Sequence, residues 1–177
     1  VVVNPDTTVK ITKIWNDNND QDGKRPEKIT VNVFGTDETT PVISNAEISV
    51  PTSGTTYTFT GLPKYDEQGN IITYTVTENE VIEYTTLPIA EDSTVTSGIG
   101  YIITNKHTPE VVEISVEKEW ADNNNEYGIR QETVNVSVIA DGYENSPVAS
   151  GDLTVGEDGK LSKTFGNLPK YKDRKKI

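Results

Sequence analysis

Three side chains in this chain could do chemistry on one another: Lys13, Glu78 and Asn105. At the two-residue period of a strand, Val9, Ile11, Lys13 and Trp15 share one face, with Lys10, Thr12 and Ile14 on the other. Ile72, Tyr74, Val76 and Glu78 alternate in a second stretch, and Ile99, Tyr101, Ile103 and Asn105 in a third. An amine, an acid and a carboxamide thus point inward from three apolar faces. A lysine is almost never fully buried without a partner, because stripping water from its ammonium is expensive. Burial disfavours both charged forms of a lysine–glutamate pair, so a proton passes to the acid and leaves a neutral, nucleophilic amine. A carboxamide held against that amine, and hydrogen-bonded to the protonated acid, is attacked at carbon and loses ammonia. The product is a Lys13–Asn105 isopeptide bond. Taken singly, each polar residue reads better as a strand-end side chain reaching the rim of a sheet. Three together, with the lysine repeated later in the chain, shift the weight toward the chemistry.

Strands must position these residues. Val, Ile, Thr and Tyr are abundant, Leu and Ala sparse, and no long window keeps a helical period. Candidate strands are 9–15, 29–35, 46–50, 55–60, 72–78, 84–87 and 100–105, separated by Asp/Asn/Gly/Pro clusters at 16–26, 52–54 and 66–70. Seven short strands in about a hundred residues fit an all-β sandwich of the Ig-like kind.

The pattern then repeats. Lys118, Trp120, Gly128 and Arg130 each lie 105 positions after Lys13, Trp15, Gly23 and Arg25. Phe59-Thr60-Gly61-Leu62-Pro63-Lys64-Tyr65 returns one residue later as Phe165-Gly166-Asn167-Leu168-Pro169-Lys170-Tyr171. The chain reads as two tandem domains, 1–107 and 108–177. Their joint at 106–110 is short and stiffened by Pro109, which implies a semi-rigid rod. Ile114, Val116, Lys118 and Trp120 form the apolar face of the second first strand, so Lys118 is expected to turn inward as the second copy's crosslink lysine. Ile177 corresponds to Ile71, so the second copy is incomplete and lacks counterparts of Glu78 and Asn105. The natural chain is expected to continue with strands that supply them, because a sandwich missing its last strands exposes edges and apolar faces.

Lys13-Ile14-Trp15, Asp17-Asn18-Asn19, Gly23-Lys24-Arg25-Pro26, the Phe59–Tyr65 stretch, Tyr74-Thr75-Val76-Thr77-Glu78 and Ile103-Thr104-Asn105-Lys106-His107-Thr108-Pro109 occur in order. Together they resemble the Cna B-type repeat domain of collagen-binding adhesins and pilins of Gram-positive bacteria. The resemblance implies a β-sandwich with adjacent first and last strands. It also implies a crosslink between Lys13 and Asn105 assisted by Glu78, and a stalk that presents a separate ligand-binding region. The protein is then expected to be extracellular and anchored to the cell wall, with neighbouring domains of the same protein as its partners and a host matrix protein met through a separate region. Lys118 matches the lysine position alone, and Ile129 departs from the pattern.

Composition narrows the alternatives. A net charge of −12 argues against nucleic acid or an anionic membrane as partner, and the absence of cysteine excludes disulfides and thiolate metal sites. No apolar run approaches the length of a membrane span, and there is no signal sequence at Val1. Asn18-Asn19-Asp20-Gln21-Asp22-Gly23 imitates the start of a calcium loop, but Ile29 stands where a bidentate Glu is needed, so a solvated turn is expected. His107 reads as a linker residue, Trp15 and Trp120 as core, and 172–176 as a solvated basic turn. No metal or cofactor is called for. A binding module that itself grips host matrix predicts an exposed apolar patch, and a pilus shaft subunit is a further alternative to the stalk. A turnover enzyme needs a pocket constellation that the sequence lacks; self-crosslinking is single-turnover chemistry.

Overall fold

The computed structural model describes residues 3–177, and every regular element among them is a β-strand. The chain divides into two compact units: one runs to Asp20 and resumes over Lys24–Thr108, the other comprises Gln21–Gly23 and Pro109–Ile177. The first unit contains β1 (Asp6–Asn16), β2 (Lys28–Phe34), β3 (Pro41–Ser49), β4 (Thr56–Pro63), β5 (Thr75–Glu78), β6 (Thr85–Thr86), β7 (Ala90–Glu91) and β8 (Ile99–Lys106). Five of these form one sheet in the order β4-β1-β8-β6, with β7 also on β8; the others form a second sheet in the order β3-β2-β5.

The alternation anticipated for β1 is realised residue by residue: Val9, Ile11, Lys13 and Trp15 are buried and the residues between them half-buried. On β2 the buried set is Ile29, Val31 and Val33. These meet Ile48, Phe59, Leu62, Tyr74, Val76 and Ile103 in one core between the sheets. β-branched side chains suit the pleated surface, and each one fully buried contributes roughly 1.5–3 kcal/mol. Tyrosine hydroxyls close the ends of this core, Tyr74 donating to the Pro63 carbonyl at 2.7 Å and Tyr101 to the Tyr74 carbonyl at 2.8 Å.

The first and last strands, β1 and β8, pair in parallel, with Lys13 opposite Ile103 and Trp15 opposite Asn105. Parallel neighbours need a long crossover, here the whole intervening domain. Gly98, at φ +127°, lets the chain enter this pairing: a Cβ there would lie 2.3 Å from Thr8 Oγ1. The regular part of β5 is shorter than the expected 72–78, because the Ile72 amide donates to the Lys64 carbonyl and that of Thr73 to Thr36 Oγ1 instead of joining the ladder. β7 follows a proline and was not foreseen.

The second unit contains β9 (Val111–Lys118), β10 (Val134–Val138), β11 (Ala149–Val155), β12 (Leu161–Pro169), β13 (Tyr171–Lys172) and β14 (Lys175–Lys176). The first four form a sheet in the order β10-β11-β12-β9, and β13-β14 is a hairpin turned by Asp173 and Arg174, both at positive φ. Leu153, Leu161, Phe165 and Leu168 are its buried apolar residues. Among the described residues β9 pairs with β12 alone and lacks the neighbour that β8 gives β1. The expected inward face of β9 is correspondingly open: Ile114 is 42% exposed, and Lys118 and Trp120 are only half-buried. The fold is thus a tandem of sandwich domains whose second member has no counterpart of residues 72–105 in this sequence.

Candidate functional site

Lys13 projects from the inner face of β1 along the strand direction, which carries its amine past Ile103 to the Asn105 side chain on β8. Lys13 Nζ donates to Asn105 Oδ1. Glu78, the last residue of β5 in the facing sheet, brings Oε1 to 3.2 Å from the same Nζ, without the alignment of a hydrogen bond. The side chains of Lys13 and Glu78 are both 0% exposed, and Asn105 is fully buried as well. The structure therefore brings together the three residues that the strand alternation singled out.

Two further groups close this cluster. Thr86 on β6 donates through Oγ1 to Glu78 Oε2 at 2.6 Å and accepts from Asn105 Nδ2 at 3.4 Å. Trp15 lies on the other side, its ring centroid 4.1 Å from Nζ, held by an indole N–H bond of 2.9 Å to the Val50 carbonyl and by the edge of Tyr84 at 5.1 Å. Burial pushes the Lys13 ammonium down to a pKa of about 8, against the opposing pull of the Glu78 carboxylate and, more weakly, Asp17.

The 16–26 loop is not the solvated turn expected of it. Asp17, Asp20 and Asp22 are 1%, 5% and 5% exposed. Asn18, Asn19 and Asp20 run consecutively through left-handed backbone, a conformation that Asn and Asp tolerate best, and this folds Asp17 inward. Its carboxylate receives Arg25 Nε at 2.9 Å and Nη2 at 2.6 Å, the Tyr84 hydroxyl at 2.9 Å and the Asp20 amide at 3.0 Å. Burial alone pushes Asp17 up, but these bonds, Arg25's first, outweigh it and hold the acid below its usual range. Burial, reinforced by the bond to Asp17, raises Tyr84. Among the described residues no group of three or more His, Cys, Asp or Glu is placed to hold a metal ion.

The second unit repeats part of this arrangement. Asn123, Asn124 and Asn125 are again left-handed, Arg130 grips Asp122 through Nε at 2.7 Å and Nη2 at 2.5 Å, and Lys118 Nζ lies 4.6 Å from the Trp120 centroid. Lys118 Nζ donates to the Glu119 carbonyl at 2.9 Å, and residues 109–177 contain no counterpart of Glu78 or Asn105 to meet it. His107 packs against its own domain, its ring 5.3 Å from Tyr84 and its Nδ1 2.8 Å from the Glu83 carbonyl.

The Cna protein B-type domain matches residues 9–106 and again 114–177. The chain belongs to that family. The Staphylococcus aureus collagen adhesin is 38% identical over 173 residues, 97% of this chain but 13% of the adhesin. A crystal structure of two B repeat units of the Staphylococcus aureus collagen binding protein superposes with a TM-score of 0.76 at 35% identity, covering 97% of this chain and 43% of the other. A crystal structure of a single B repeat unit of that protein is 33% identical, covering 97% of this chain and 82% of the other, with a TM-score of 0.45. The present chain thus spans a small part of the full-length adhesin it matches. Within this Cna B-type pair, sequence reasoning missed Thr86 and the Asp17–Arg25–Tyr84 cluster. Both had a signal. Tyr84 and Thr86 share a face of the expected strand 84–87, and an Asp followed eight residues later by an Arg occurs in both copies.

Proposed function

We propose that this chain is a tandem of stalk domains, 1–107 and 108–177, from a cell-surface adhesin, and that the first is locked by an autocatalytic bond between Lys13 Nζ and Asn105 Cγ. The observation that carries the reading is the fully buried contact of amine, carboxamide and carboxylate. In water such a triad would exchange partners; in an apolar core it is held at reacting distance with solvent excluded, which is where proximity contributes most to rate. The neutral amine attacks Cγ, Glu78 takes the proton that Nζ gives up and a proton is returned to Nδ2, the Cγ–Nδ2 bond breaks, and Nδ2 leaves as ammonia. No cofactor or metal is required. The reaction happens once per chain, so the domain is a structural element and not a turnover enzyme.

Family membership supports an extracellular, wall-anchored setting, with neighbouring domains of the same protein as partners and matrix contact made through a separate region. The test is the intact mass of the purified chain, expected about 17 Da below the sequence mass through loss of one ammonia. A tryptic digest should contain a branched peptide joining Lys13 to Asn105. The full sequence mass, with both residues recovered in linear peptides, would overturn the proposal.

A further inference from the structure

We propose that Thr86 is a catalytic hydroxyl of this site, relaying a proton from Glu78 to the departing nitrogen of Asn105. The inference rests on the crosslinking reading above and assigns a role that this reading leaves open. Amide nitrogen is a poor leaving group until it is protonated, so the reaction needs a proton delivered to Nδ2 as well as one removed from Nζ. Glu78 faces these two tasks with different oxygens. Oε1 lies 3.2 Å from Lys13 Nζ, whereas Oε2 is bonded to Thr86 Oγ1 at 2.6 Å. No bond links Oε2 to Nδ2 directly; the connection runs through Thr86, whose Oγ1 is 3.4 Å from Nδ2. The pairing of β6 with β8 sets Thr86 opposite Asn105, which fixes the hydroxyl between the acid and the amide.

A hydroxyl donates one proton and accepts at two lone pairs, so it can pass one proton on as it receives another. The relay starts from the neutral pair, amine and carboxylic acid, and reverses both bonds of Thr86: the protonated Oε2 donates to Oγ1, and once Cγ turns tetrahedral and Nδ2 regains its lone pair the Thr86 proton turns to Nδ2. As the Nζ–Cγ bond forms, Nζ gives a proton to Oε1, Oε2 gives its proton to Oγ1, and Oγ1 gives its own to Nδ2. The Cγ–Nδ2 bond breaks and ammonia departs. Glu78 ends as it began, neutral, with its proton on the other oxygen, and Thr86 is regenerated. The carboxyl group never has to rotate in a packed core.

The experiment compares Thr86→Val, which keeps the shape and removes the hydroxyl, Thr86→Ala, and Thr86→Ser, which keeps the hydroxyl. Freshly purified full-length chains are followed by intact mass against time, with near-UV circular dichroism as the check on folding. Wild type should be complete at the first time point. The Val and Ala variants should react about a hundredfold or more slowly, within the range general acid catalysis supplies, and Ser should restore the wild-type rate. Val and Ala chains that react as fast as wild type overturn the relay while leaving the crosslink standing, and so does a Ser chain as slow as Val. Wild type at its full sequence mass overturns the crosslink and the relay together. If Val or Ala fails to fold, the Ser rate decides: slow reaction in a folded Ser chain refutes the role of the hydroxyl.

Discussion

Replacing Glu78 by Gln keeps the size of the side chain and an oxygen for Thr86 to donate to, but removes the acid from beside Lys13. The Glu78→Gln chain should fold and retain its full sequence mass, because among the described residues no other acid lies within ion-pair distance of the amine. The stability consequence follows from the loop that the bond closes. Tying Lys13 to Asn105 restricts the unfolded chain, and the loop-entropy treatment used for disulfides gives about 4.6 kcal/mol for a loop of this length. A domain of this size unfolds with an entropy of about 0.2 kcal/mol/K, so losing the bond should lower Tm by roughly 20 °C. Lys13 adds to the loss. Its pKa is already pushed down to about 8 by burial with the carboxylate opposing, and without Glu78 that opposition is gone. Differential scanning calorimetry on chains of verified mass measures the shift. Asn105→Ala, which also lacks the bond but keeps Glu78 beside Lys13, should show the loop contribution together with the loss of the buried carboxamide's contacts to Lys13 and Thr86. A Glu78→Gln chain that still loses ammonia refutes the shuttle. Uncrosslinked chains melting within about 5 °C of wild type refute the energetic argument.

Three further outcomes are expected. In Asn105→Ala the folded Lys13 titrates near pH 8 and the unfolded one near 10.4, so the unfolded state binds more protons in between; stability to urea should be flat below pH 8 and rise toward pH 9.5. Above about pH 10 the buried tyrosines, raised in the folded state, reverse the slope, and a urea midpoint that falls from pH 7.5 to 9.5 would contradict the assignment. Arg25→Ala strands the buried Asp17 carboxylate and should cost about 3 kcal/mol in chemical denaturation, whereas Arg130→Ala, in a pair whose side chains are 30% and 29% exposed, should cost distinctly less. Amine acylation of the native chain should modify Lys118 and spare Lys13, and the total mass deficit should be one ammonia; a deficit of two would show that Lys118 had found a partner.

Period-two alternation was enough to place Lys13, Glu78 and Asn105 on inward faces, because one face of each strand is buried and a strand's register is then set by its apolar residues. It could not say that β1 and β8 lie side by side. That pairing is separated by the whole domain in sequence, and only the family resemblance supplied it. Asp17 was misread because Asp-Asn-Asn normally marks a wet turn. Here the left-handed run points Asp17 into the core, where an arginine eight residues on neutralises it. For β9 the alternation was right and the burial wrong: a face is hidden only if something covers it, and nothing in this sequence corresponds to the strand that would.

With the bond in place, residues 13 to 105 form a closed ring of covalent links, since main chain and side-chain amide connect the same two positions by separate routes. The turns around Asp66–Asn70 and Asp92–Ser97, both largely exposed, lie within that ring. A protease that cuts either turn therefore does not sever the polypeptide: the segments before Lys13 and after Asn105 stay joined through the isopeptide even when the domain is denatured. A domain closed this way tolerates a nick in either turn without parting the segments on its two sides.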